Sequence, residues 1–386
     1  MSLTSDGAAP ADRANWRTAP FSQWAFRHVG QIIPTAPIAN DPGAVWALPA
    51  ATRGLDGFHL STANGPGLDL DGFMAATAGD ALVVLRDGQV VHEGYANGND
   101  ARTPHIIMSA SKSVVGLIVG ILAGEGRIDV DAPVTDHVPE VAGSAYLGAT
   151  VRQLLDMRTG VLLDADDQAA YAAATNWEAP GPAPADLHGF YETFAAPHRP
   201  HGGPFSYISA NTDLLGWVVE RATGQTFAEL VSTRLWRPMG AATPAAITAD
   251  DLGAPRTTGG ICATVMDLAR IGQLLVQDGR RHGAEIVSTA WVDDIVGNGD
   301  REAWKTGEFA AGFTGLTMRY RSGWYVVDND PSYIFAMGIY GQNLFVDRAN
   351  RIVVAKLSSQ ASANDFRAIG LTHRAFAEIR RVLLSS

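Results

Sequence analysis

The sequence predicts an α+β protein, an antiparallel sheet flanked by helices with a mostly helical domain inserted into it. Runs with strand character stand near both ends of the chain, and a long stretch of helical character separates them. The simplest packing lets the two ends share one sheet and sets the middle beside it. The cleft between the two parts is then the default place for a site.

The elements follow in order. Residues 1–75 are rich in Pro, Gly and Ala with scattered Trp, and read as an irregular arm wrapping a domain. Residues 81–96, ALVVLRDGQVVHEGYA, are two apolar runs joined by Asp87-Gly88, a strong hairpin signal. Residues 111–126, SKSVVGLIVGILAGEG, form a continuous apolar helical run that ends at Gly124 and Gly126. From 127 to 270 the pattern is mostly helical, with an irregular stretch at 162–204 that resembles a lid or binding loop. Residues 333–346 and 351–359 read as strands joined by a polar turn at Arg348-Ala349-Asn350, and 373–384 as an amphipathic closing helix. The expected division is 1–126 for the arm, first strands and an apolar helix, 127–270 for the helical domain, and 271–386 for the return to the α/β domain.

Composition excludes several function classes. With 386 residues, 46% of them apolar, the chain can bury a large core. A formal charge of −11 and a pI near 5.3 argue against nucleic acid as a partner. The single cysteine, Cys262, rules out an internal disulfide framework, and no Cys/His cluster has zinc spacing. No cofactor is called for. The N-terminus lacks a secretory apolar region and no apolar run approaches a membrane span, so a cytoplasmic protein without membrane contact is expected. Only three lysines occur among the 29 basic residues: Lys112, Lys305 and Lys356.

Lys112 stands in MSASKSVVG, three residues after Ser109. At a helix start, residues i and i+3 share a face. First-turn N–H groups lack intrahelical partners and can donate to an oxyanion. A serine hydroxyl needs a neighbouring base, and a desolvated lysine can be one. Ser109 could equally be an ordinary N-cap, since about one such pair arises by chance in a chain of this length. Two further pieces fit the catalytic alternative. Tyr207 precedes a helix starting near Asn211 and could face the pair, with its phenolate favoured by Lys112. A glycine in the apolar strand 333–346 allows close approach of a substrate.

On these residues the chain resembles the serine-reactive β-lactamase and penicillin-binding protein superfamily, whose first mark is Ser-x-x-Lys. Within it, the chain is most similar to the class C-like branch that holds carboxylesterases and 6-aminohexanoate-dimer hydrolases. The resemblance rests on MSASKSVVG, LLDM, SANTDLLGWVVERATG, GGICATVMDLARIGQLL and GIYGQNLFVDRANRIVVAKLSS. It implies a β-lactamase-like fold and a serine hydrolase acting through an acyl-enzyme on small carboxylic esters, with linear amides of the 6-aminohexanoate-oligomer kind as a second class. A β-lactamase or DD-peptidase is the alternative, and an inactive binding protein on the same fold a further one. A homodimer is left open.

Position by position, the resemblance makes Ser109 the nucleophile, Lys112 its partner and Tyr207 the residue that passes the proton to the leaving group. Ser209 stands where the branch carries an asparagine. The third element falls on Ala336-Met337-Gly338 rather than on the literal Lys305-Thr306-Gly307, which lies in a stretch without strand alternation. Ile339 N–H then joins Ser109 N–H as the oxyanion hole beside Gly338. Trp177 and Trp324 match aromatics that would wall an acyl pocket. Amide-hydrolysing members carry a tyrosine at the position of Asp167, and Tyr171 lies four residues on. This departure implies esters over amides, because an amine must be protonated as it leaves. His373 is left out of the catalytic set.

Overall fold

A computed structural model describes residues 11–62, 65–183, 185–195, 199–329 and 332–385. The first ten residues of the N-terminal arm, and Pro184 and 196–198 of the lid-like stretch, lie outside the described residues. Seven antiparallel strands form the main sheet. They are β1 (Gly79–Arg86), β2 (Gln89–Tyr95), β3 (Met318–Arg321), β4 (Trp324–Val327), β5 (Tyr333–Gly338), β6 (Gln342–Asp347) and β7 (Ile352–Ser358), in the spatial order β3-β4-β5-β6-β7-β1-β2. The two ends of the chain therefore meet where β7 pairs with β1, Val354 opposite Val84. The hairpin turn between β1 and β2 puts Asp87 and Gly88 at positive φ, as a two-residue turn with the strand twist requires.

Both sheet faces are covered, so its strands alternate between two cores rather than between core and water. Val83 and Leu85 of β1 and Leu344 and Val346 of β6 enter one core. Leu82 and Val84 of β1 and Phe345 of β6 enter the other. The first core is capped by α1 (Ser111–Gly124) and α4 (Val265–Val276), the second by α5 (Phe366–Leu384). Twelve of the fourteen residues of α1 are buried, which accounts for its apolar run. Gly126, at positive φ, ends it and lets the Arg127 N–H reach back to the Leu122 carbonyl at 2.8 Å.

The middle differs from expectation in two ways. It carries α2 (Ala165–Ala173) and α3 (Ser209–Thr223), but also part of a second sheet of four short strands, ordered Thr35–Ile38, Ala245–Thr248, Ile261–Ala263 and His105–Ile106. These strands come from the arm, the middle and the segment before α1, and such short non-local pairings leave almost no local pattern. The expected boundary at 270 also cuts through α4, whose residues Leu268, Ile271 and Leu275 belong to the core of the main sheet. The arm is more than a wrapping. Trp16, Phe26 and Val29 bury themselves against Met108 and Tyr340, behind the turn that carries Ser109.

Gly116 of α1 lies against the β3–β4 turn, where an added Cβ would stand 1.9 Å from the Ser322 carbonyl oxygen; at Gly124 it would meet nothing within 4 Å. Gly116→Ala is expected to cost at least ~1–3 kcal/mol, read as a fall in Tm. Gly124→Ala should leave Tm unchanged or raise it slightly, because alanine favours helix. Equal Tm values for the two would contradict this packing.

Candidate active site

Ser109 does not start α1. It lies in a single 3-10 turn, Met108–Ala110, one step ahead of the helix. Met108 has φ 47°, a left-handed conformation that costs a non-glycine residue energy and lifts the next residue out of the helix path. Ile106 and Met108 pack in the arm cluster, so the fold holds this strain in place. Ser109 is half-buried, while Lys112, one turn on, is 2% exposed.

Lys112 Nζ lies 3.0 Å from Ser109 Oγ and donates to the Thr258 carbonyl at 3.0 Å. It also stands 4.7 Å from the centre of the Tyr207 ring. Burial pushes the ammonium down to about 7; Asp213 opposes the shift and Arg256 adds to it. Tyr207 sits just before α3, and its hydroxyl faces those of Ser109 and Tyr325, which favour its anion. Burial pushes that hydroxyl above its ordinary value despite these neighbours. A resting phenolate favoured by Lys112 is therefore the wrong expectation: the site desolvates the phenol more than it stabilises the anion. The spatial triad of Ser109, Lys112 and Tyr207 nevertheless comes together.

Ser109 opens onto a cavity of about 170 Å³ whose lining includes Tyr207, Phe309, Tyr325, Met337, Gly338, Ile339, Gly341, Ala363, Asn364 and Ile369. A larger hollow of about 530 Å³ lies under the lid-like stretch, between Arg13, Ala170 and Phe190, but it touches none of the triad. Chemistry rather than size singles out the smaller one. Gly338 ends β5 against the Ser109 turn, where a Cβ would stand 2.6 Å from the Ile107 carbonyl. Close approach thus requires glycine there, and it brings Ile339 beside Ser109 on the cavity wall. Ser209 is the first residue of α3, half-buried, and does not line the cavity. Asn211 is turned into the core, where its amide oxygen accepts from Tyr146 and Thr159.

Neither expected tryptophan walls the cavity. Trp324 is fully buried on the α1 side of β4, while its neighbour Tyr325 faces the other way, lines the cavity and bonds Tyr207. A shift of one residue along a strand changes the face. Trp177 packs edge-on against Trp16 at 5.2 Å, and its indole donates to Thr248 Oγ1 at 3.1 Å, behind the loop that carries Thr258. The literal Lys305-Thr306-Gly307 ends a surface helix, with Lys305 exposed and 3.6 Å from Glu302. The next two residues do reach the site: Glu308 accepts the Tyr207 N–H, and Phe309 stacks on the Tyr207 ring at 5.1 Å. Sequence reasoning placed Met337 in the third element but missed Phe309, Tyr325, Ala363, Asn364 and Ile369. Of these only Tyr325 had a signal, its place beside Trp324 in a strand-like run.

Asp167 is the third residue of α2 and completes its capping box with Asp164. Tyr171 lies buried, its hydroxyl donating to Asp213 at 2.5 Å, and does not line the cavity. His373 is wedged among Phe313, Phe335 and Phe345 in the α5 core. Among the described residues, no three or more His, Cys, Asp or Glu side chains cluster as metal ligands, and no helix is long and apolar enough to cross a membrane.

A serine on a strained turn thus stands beside a buried lysine and a tyrosine, and residues 69–378 match the beta-lactamase family model; the chain belongs to that family. It is an enzyme of the serine hydrolase kind. It is 35% identical, over 378 residues, to the 6-aminohexanoate-dimer hydrolase of Paenarthrobacter ureafaciens, covering 96% of this chain and 93% of the relative. A Bacillus anthracis structure described as a candidate 6-aminohexanoate-dimer hydrolase superposes with a TM-score of 0.88 at 26% identity, covering 98% of this chain and 99% of that one. The hydrolase EstCE1, described as having promiscuous acyltransferase activity, shares the fold with a TM-score of 0.62 at 15% identity, covering 81% and 97%.

The two faces of β4 make a paired prediction. Trp324→Leu should lower Tm by several degrees, since a fully buried aromatic leaves a cavity costing ~2–4 kcal/mol, with turnover per folded molecule nearly unchanged. Tyr325→Phe should keep Tm and cut kcat for an activated ester ~3–10-fold, the worth of one hydrogen bond to Tyr207. Thermal denaturation and ester kinetics read both; the reverse pattern would put the wrong residue at the site.

Proposed function

We propose that this protein hydrolyses small neutral carboxylic esters through an acyl-enzyme on Ser109. The observation that carries the reading is the contact of a buried Lys112 with Ser109 Oγ at the mouth of an apolar cavity. With its ammonium lowered to about 7, a large share of Lys112 is neutral at physiological pH and able to accept the Ser109 proton as Oγ attacks the ester carbonyl. On this reading the Ser109 and Ile339 amides, both on the cavity wall, donate to the carbonyl oxygen as it gains charge. The Tyr207 hydroxyl, protonated at rest, gives its proton to the departing alkoxide and is reprotonated from Lys112. Water then takes the alcohol's place and releases the acid, which restores Ser109.

Specificity follows from the lining. Phe309, Met337, Ala363 and Ile369 are apolar, and none of the lining residues is charged. With Ala336 in the third element and Lys305 on the surface, no lysine stands ready for the carboxylate of a penicillin or a peptidoglycan peptide, which weighs against those readings. A second reading, hydrolysis of linear 6-aminohexanoate amides, is favoured by the Paenarthrobacter relative that spans nearly the whole chain. It needs a proton donor for the leaving amine. Asp167 caps a helix and Tyr171 is committed to Asp213, so Tyr207 alone serves that step and esters gain.

Four outcomes are expected. Ser109→Ala should fold, lose labelling by a fluorophosphonate probe and retain less than about a thousandth of kcat. Lys112→Arg, which keeps its charge at every accessible pH, should fail almost as badly as Lys112→Ala; near-normal rates would show that only a fixed positive charge is needed. For the wild type, kcat/KM for p-nitrophenyl butyrate should rise through a limb near pH 7 as Lys112 loses its proton. It should exceed kcat/KM for the linear 6-aminohexanoate dimer at least ~100-fold. Comparable values for the two substrates would favour the amidase reading instead.

A further inference from the structure

Behind Lys112 lies a buried ionic cluster that acyl transfer itself does not touch. The Thr258 carbonyl that receives Nζ belongs to a residue whose own N–H donates to Asp213 Oδ1 at 2.8 Å. Asp213 is in the second turn of α3 with its side chain fully buried. Its Oδ2 accepts the Tyr171 hydroxyl and the Arg256 guanidinium. The Thr257 hydroxyl adds bonds to the Thr212 carbonyl at 2.7 Å and to Asp213 Oδ1 at 3.3 Å. The Arg256 guanidinium carbon stands near two rings, 4.6 Å from the centre of Tyr171 and 5.0 Å from that of Trp177. The loop from Arg256 to Thr258 is therefore pinned at three successive residues, and the Thr258 carbonyl points at the lysine.

We propose that Asp213 and Arg256 are positioning residues of the hydrolysis: they lock the Thr258 carbonyl onto Lys112, and their opposed charges set the pH at which Lys112 gives up its proton. This rests on the reading of Lys112 as the base. A backbone carbonyl orients an amine only if its peptide plane is fixed, and here the carboxylate fixes that plane through the N–H of the same residue. The charges act at the same time. The groups facing Lys112 are the Ser109 hydroxyl on the nucleophile turn, the Tyr207 ring before α3 and the Thr258 carbonyl. The charged groups acting on it are Asp213, which favours the ammonium, and Arg256, which disfavours it. Tyr171 reaches the lysine only through these two. A neutral spacer could hold the loop equally well, but only an ion pair allows the proton affinity to be moved in either direction.

The test is the pH profile of kcat/KM for p-nitrophenyl butyrate between pH 5 and 9 in the full-length enzyme, with fluorophosphonate labelling to count competent sites. Asp213→Asn removes the charge that favours the ammonium, so its limb should move down by about one pH unit. Arg256→Gln removes the opposing charge and should move the limb up by about one unit, and Arg256→Lys should return it toward the wild type. A purely structural role would lower the number of competent sites without moving the limb. A limb present in the wild type but unmoved in the variants overturns this proposal and leaves the base assignment intact. A wild type that hydrolyses the ester with no limb near neutrality overturns both. If Asp213→Asn does not fold, the comparison of Arg256→Gln with Arg256→Lys decides alone.

Discussion

The structure depends on one expensive placement, a lysine ammonium taken out of water beside a serine. Burying an isolated charge costs several kcal/mol even after relaxation. The fold meets that cost in two ways: the amine loses its proton more readily, and it receives a carbonyl acceptor and a hydroxyl neighbour. Each contribution comes from a different part of the chain. The turn before α1 supplies the serine and the apolar α1 the lysine, the loop before Ile261–Ala263 supplies the carbonyl, and the segment before α3 supplies the tyrosine. These pieces stay in register because α1 packs on the main sheet while α3 packs on α1. The site is thus a joint between the two parts of the molecule.

A depressed lysine is not in itself a catalytic mark, and this chain holds the counterexample. Lys356 on β7 is 1% exposed, is also pushed to about 7 by burial, and is also bonded to a serine, Ser358. Both of those residues are sealed between β1, β7 and Phe73, with Asp80 opposing the shift. Ser358 is fully buried, whereas Ser109 lies on a strained turn at a cavity wall. Perturbed proton affinity arises wherever charge is buried. On the reading proposed here, access for a carbonyl group from the cavity separates Ser109 and Lys112 from this sealed pair.

The parts legible in the sequence are those with local periodicity. The hairpin at Asp87-Gly88, the apolar α1 and the closing amphipathic helix are each written in one contiguous stretch. The Ser-x-x-Lys spacing was also legible, as was the strand character of Ala336-Met337-Gly338, which the literal Lys305-Thr306-Gly307 lacks. What stayed hidden is non-local. The four-stranded sheet draws its strands from residues as far apart as Thr35 and Ala263, with no internal pattern to announce it. On β4, buried on both faces, alternation carries no polarity signal, so Trp324 and Tyr325 could not be assigned to their sides. Phe309 and Glu308 reach Tyr207 only because a surface helix ends beside it.

The ionic cluster behind the lysine also bears on which substrates the proposed chemistry suits. Tyr171 is a further phenol behind the site, and its hydroxyl is spent on Asp213 while its ring lies near Arg256. To protonate a leaving amine it would have to abandon a fully buried carboxylate, leaving that charge with one partner fewer. Burial already holds its proton well above the ordinary phenol value, so it is a reluctant donor even before it moves. The interactions that keep the Thr258 carbonyl on Lys112 therefore withhold the extra donor an amide would use. On the reading proposed here, a base of near-neutral proton affinity and a preference for esters arise from the same buried bonds, and a chain that loosened Tyr171 to gain amidase activity would disturb its own base.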